Sequence, residues 1–68
     1  TEIKKTMYAS QDGKCAGCKS PTEFDRMVVD HCHSGGQVRG LLCTNCNLAL
    51  GLVYDDVDTL INLISYLQ

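Results

Sequence analysis

A chain of 68 residues has room for one domain with a small apolar core, and at this size a disulfide framework or a structural metal is commonly needed. The formal net charge of −2 argues against a generic basic nucleic-acid binder held by charge alone. No apolar run approaches a bilayer span and the stretch Thr1–Lys5 has no signal-like character, so a membrane partner is excluded and an intracellular, reducing setting is expected. The chain begins without Met, as a fragment or a processed product would.

In chain order, Ile3, Met7 and Tyr8 share a helical face and predict a short helix over residues 2–10. Gln11-Asp12-Gly13 is a turn leading into Cys15, and Ser20-Pro21-Thr22 is a second turn. Arg26–His31 is β-rich, Ser34-Gly35-Gly36 is a flexible turn, and Gln37–Leu42 reads as a second strand, so the two form a hairpin. A short helix follows Cys43, with Thr44 as its expected N-cap and Gly51 as its stop. Asp55 or Asp56 is expected to cap the last helix, whose first turn carries Asp58. Val57, Leu60, Ile61, Ile64 and Leu67 recur along it at helical spacing, and this stripe is expected to be core. Tyr8, Tyr54 and Tyr66 are expected to be packing residues.

Five cysteines are present, an odd count that suits disulfides poorly. Four form two matched pairs, Cys15/Cys18 and Cys43/Cys46, in the pattern C-x2-C-x24-C-x2-C. Two intervening residues let one turn of chain point both sulfurs at one tetrahedral ion, so these four are expected to hold a structural Zn²⁺. Such a closed site has no open position for catalysis. The fifth, Cys32, is expected to be a small buried hydrophobe. Four thiolates on one Zn²⁺ make the chain two units more negative than its formal charge.

Between the pairs lies Asp30-His31-Cys32-His33, and Asn47 follows Cys46 directly. Asp30 can offer a hard oxygen to Mg²⁺, and Asn47 a second through its amide carbonyl. His31 can accept a proton from water near neutral pH, with His33 as an assistant. Neighbours on a strand point to opposite faces, so the strand must end or bend at Asp30–His31 if both serve one site. Arg39, on the facing strand, is a candidate phosphate contact.

These residues carry a resemblance. Gln11–Cys18, Val29–His33, Val38–Asn47, Leu50-Gly51 and Tyr66-Leu67 occur in the order seen in the phage recombination endonuclease VII family, so the chain resembles that family. The family lies within the wider HNH or ββα-metal (His-Me finger) nucleases. The resemblance implies one zinc-stabilised nuclease domain over residues 1–68. Its fold would be a small α+β zinc domain with a treble-clef-like ββα-metal core, a β-hairpin, a short helix, and flanking N- and C-terminal helices.

The implied catalytic residues are His31, Asp30, Asn47 and His33. His31 resembles the general base, Asp30 and Asn47 the ligands of a catalytic Mg²⁺ or Mn²⁺, and Cys15, Cys18, Cys43 and Cys46 the structural zinc site. The implied partner is DNA, nicked or cleaved to 5′-phosphate and 3′-hydroxyl ends, with a dimer among the oligomeric alternatives. The implied location is the cytoplasm of a bacterial host if the chain is phage-derived. One position departs from the best-known relative, which carries an acidic residue three places beyond the helix asparagine; here Leu50 stands there. The rival expectation is a noncatalytic zinc module that binds DNA or a protein partner, the acidic charge favouring the protein.

Overall fold

The computed structural model describes residues 2–32 and 34–68. Three helices flank one two-stranded antiparallel hairpin, in the order α1 (Glu2–Ser10), β1 (Val28–His31), β2 (Val38–Leu42), α2 (Thr44–Leu52) and α3 (Val57–Leu67). The architecture is a small α+β one. A 3-10 turn at Phe24–Arg26 precedes β1, so the first strand starts two residues later than its β-rich composition predicts.

The buried core is small: Cys15, Met27, Leu41 and Leu42. It lies where α1 and the cysteine turn meet the hairpin. β2 is the better buried strand, because α1 and α2 both pack on it. Its outer edge is closed by chain from the N-terminal half. Gln11 Oε1 accepts from Leu41 N–H at 2.9 Å, and Gln11 Nε2 donates to the Leu41 carbonyl at 3.0 Å. The Ala16 N–H donates to the same carbonyl at 3.0 Å. One side chain thus takes the place of a third strand and satisfies backbone groups that burial would otherwise leave unpaired. Gly40 keeps this edge approachable, since a Cβ there would sit 3.2 Å from Gln11 Oε1.

Tyr8 fixes α1 to the following loop. Its hydroxyl donates to the Thr22 carbonyl at 2.7 Å, and its ring meets Phe24 edge-on at 5.4 Å between centroids. Lys4 Nζ lies 4.4 Å above the other face of that aromatic pair, over Phe24.

Several local expectations are corrected. The N-cap of α2 is Cys43, whose sulfur accepts from Cys46 N–H at 3.5 Å, and Thr44 is the first helical residue. The Cys43 sulfur already accepts the amide, so no hydroxyl is required. Gly51 lies within α2, which ends instead at Val53; Tyr54 and Asp55 take the left-handed conformation expected of a glycine, at φ 56° and 58°. Asp56 caps α3, its Oδ2 accepting from Thr59 N–H at 3.0 Å and from Thr59 Oγ1 at 2.6 Å. The stripe of α3 is not core: no residue of this helix is buried, and Ile61, Ile64 and Leu67 are 55%, 57% and 83% exposed. Amphipathic spacing reports that a helix has an apolar face, but not that this chain supplies the surface to cover it. Tyr54 and Tyr66 are likewise exposed, leaving Tyr8 as the tyrosine that packs.

Candidate active site and metal centre

The four paired cysteines converge. The sulfurs of Cys15, Cys18, Cys43 and Cys46 all lie within 4.8 Å of one another, and Cys18 and Cys43 are 3.8 Å apart. Tetrahedral zinc with Zn–S bonds near 2.3 Å separates its sulfurs by about 3.8 Å, so the donor set and its spacing fit this ion. Backbone amides organise the ligands: Gly17 N–H and Cys43 N–H each donate to Cys15 Sγ at 3.3 Å.

The thiol electrostatics call for a cation. Burial raises Cys15, but N–H groups of Cys43, Cys18 and Gly17 outweigh it and bring the thiol down to about 6. Burial and the neighbouring sulfurs push Cys46 up to about 12. Holding Cys46 as a thiolate at neutral pH therefore calls for a positive charge beside it, which a divalent ion at the centre would supply. Gly17 gives the cluster room, since a Cβ there would meet Cys46 Sγ at 3.1 Å.

Cys32 lies outside this cluster. It is half-buried rather than buried, with its sulfur 3.2 Å from Ser34 Oγ, and that hydroxyl leads the contacts that lower its thiol. It therefore behaves as a polar turn residue.

Next to the zinc ligands, the hairpin and α2 form a cleft lined by Asp30, Asn47, Leu50, Gly51, Tyr54 and Asp55. Asp30 and Asn47 both line this cleft. Asn47 is placed there because it follows Cys46 on the zinc-held helix. Leu50 faces the same cleft, one turn after Asn47.

The strand also bends at the required step. Asp30 pairs with Gly40, but His31 pairs with Val38, so the ladder slips between them and Arg39 becomes the extra residue on β2. His31 is exposed at the end of β1 and does not line the cleft. His33 lies outside the described residues.

The same slip lets Arg39 reach the face occupied by Asp30. Its Nε donates to Asp30 Oδ2 at 2.7 Å and its Nη2 to Asp30 Oδ1 at 3.2 Å. The other edge grips Asp55: Nη1 donates to Oδ2 and Nη2 to Oδ1, both at 3.0 Å. Asp55 first, then Asp30, hold the guanidinium still more firmly in its charged form. Arg39 thus ties β2 to the loop after α2 as well as to β1. Asp55 was foreseen only as a helix cap. The available signal was that two successive aspartates precede α3 where a single cap suffices.

The sequence profile of the family described as recombination endonuclease VII matches residues 1–68. The Gene 59 protein of Mycobacterium phage D29 is 42% identical over 64 residues, covering 91% of this chain and 39% of the relative. The Gene 59 protein of Mycobacterium phage L5 is 41% identical over 63 residues, covering 90% of this chain and 38% of the relative. The chain spans about two fifths of the length of these curated relatives. Among the described residues, no helix is long and apolar enough to cross a membrane.

Proposed function

Because the chain belongs to the recombination endonuclease VII family, we propose that it is a divalent-metal-dependent DNA endonuclease of the HNH or His-Me finger type, with a treble-clef-like zinc core. The observation that carries this reading is the meeting of Asp30 and Asn47 in one cleft, on a hairpin and a helix joined through the cysteine cluster.

The zinc is structural. It holds the start of α2 against the cysteine turn and so sets Asn47 opposite Asp30. These two residues would hold Mg²⁺ or Mn²⁺ through their side-chain oxygens. When bound, the cation supplies positive charge against the charge that develops on the phosphoryl oxygens and the leaving 3′-oxygen. His31, exposed at the end of β1, would accept a proton from an attacking water within its hydrogen-bond reach when DNA is bound. His33 is the assisting histidine. Arg39 keeps Asp30 oriented by forking onto both of its carboxylate oxygens. The products are 5′-phosphate and 3′-hydroxyl ends.

The chain acts as one domain, within the cytoplasm of a phage-infected host.

The test is cleavage of DNA by zinc-loaded protein with and without added Mg²⁺ or Mn²⁺. Cleavage that requires the added cation and is lost in Asn47→Ala supports the proposal. Zinc-dependent folding with no hydrolysis under any divalent metal favours the noncatalytic zinc module.

A further inference from the structure

The cleft contains a second carboxylate that the proposed cation site does not use. Asp55 lies on the loop between α2 and α3, grips the same guanidinium as Asp30, and lines the same cleft. An arginine forked onto Asp30 alone would neutralise it and compete with any cation for its oxygens. Here the guanidinium is shared. One positive charge lies between two carboxylates, so the triad keeps one net negative charge. Both aspartates are well shielded, with side chains 16% and 18% exposed, so this balance is screened less than on an open surface.

Resting on the Asp30–Asn47 cation assignment, we propose that Asp55 is a positioning residue for the cation site: it shares the charge of Arg39 with Asp30, so that the triad keeps a net negative charge toward the metal. Asp55 thereby does by charge balance what an acidic residue at the position of Leu50 would do by direct ligation. Arg39 divides its donors evenly: Asp55 accepts two bonds at 3.0 Å, and Asp30 accepts two at 2.7 and 3.2 Å. The bulge at Asp30–His31 turns Arg39 toward Asp30, and the left-handed backbone at Asp55 sets the second carboxylate on the opposite edge of the fork.

The experiment is Mn²⁺ binding to the zinc-loaded chain, followed by electron paramagnetic resonance, with zinc content and helicity as fold controls. Asp55→Asn is expected to weaken Mn²⁺ about tenfold or more, the size of one charge acting on a divalent ion at this range. In an Arg39→Met background, where nothing competes for Asp30, the same Asp55→Asn change is expected to cost at least about threefold less. Equal losses in the two backgrounds overturn the proposal and make Asp55 a ligand or a general source of field. Should Asp55→Asn lose its zinc, Arg39→Lys serves instead, because an ammonium keeps the charge but cannot fork two carboxylates. Weakened Mn²⁺ binding supports the proposal, and unchanged binding overturns it. Wild-type binding that Asp30→Asn leaves untouched overturns the cation assignment and this proposal together. Binding lost in Asp30→Asn but unchanged in Asp55→Asn overturns this proposal alone.

Discussion

The carboxamide of Gln11 hydrogen-bonds both backbone polar groups of Leu41, the most deeply buried residue of β2. A glutamine at the end of a helix turn thereby closes the edge of a two-stranded sheet. The Leu41 carbonyl has a second donor in Ala16 N–H, whereas its N–H donates to Gln11 Oε1. Gln11→Ala is therefore expected to orphan a buried N–H and lower stability by about 1–3 kcal/mol, read from thermal unfolding with zinc bound. A melting temperature equal to wild type would show that water replaces the carboxamide.

Zinc removal is expected to abolish cooperative unfolding. With four residues in the core, the cysteine cluster is the main link between the N-terminal turn and α2. Far-ultraviolet circular dichroism before and after chelation checks this. Gly17→Ala, which presses a methyl group on Cys46 Sγ, is expected to lower zinc affinity without removing a ligand. A chelated chain that melts as sharply as the metal-loaded one contradicts the structural role.

The cap of α3 gives a pH dependence of known sign. The Thr59 hydroxyl, then its N–H, hold the Asp56 carboxyl below the usual carboxylate range. A depressed folded-state value adds stability that is present above the unfolded value near 3.9 and is lost as pH falls through the folded value. Asp56→Ala should therefore melt below wild type at pH 7, and the gap should close as pH falls below about 4. Zinc loss in acid affects both proteins alike, so their difference isolates the cap. A gap independent of pH would assign the effect to something other than the charged carboxylate.

Leu50 lines the cleft beside Asn47, so a carboxylate there faces the proposed cation. Leu50→Glu is expected to tighten Mn²⁺ binding about tenfold by adding one charged oxygen donor. Isothermal titration checks it, and unchanged or weaker binding would place the cation elsewhere.

The parts of this molecule written in local pattern were legible in the sequence. The two cysteine pairs announced a four-sulfur cluster through their spacing, and the hairpin followed from β-rich runs around Ser34-Gly35-Gly36. Asp30 and Asn47 could be brought together because each is adjacent to an element that the cluster holds. What escaped depends on long-range partners. Gln11 resembles any turn residue until β2 is folded beside it. Asp55 looked like a helix cap, and only the bulge that turns Arg39 revealed its other use. The stripe of α3 was read as core because periodicity describes a helix face and not the neighbour that covers it. Thr44 lost the cap to Cys43 because a metal ligand there already accepts the amide.

The central claim is a hydrolytic site in which His31 activates water beside a cation held by Asp30 and Asn47. Its most direct test is the nicking rate of supercoiled plasmid by the zinc-loaded chain in Mg²⁺, wild type against His31→Ala, with zinc content matched. The expected result is nicking by the wild type and a loss of about 10²–10⁴-fold in the variant, the usual contribution of a general base. Equal nicking by the two proteins would contradict the account.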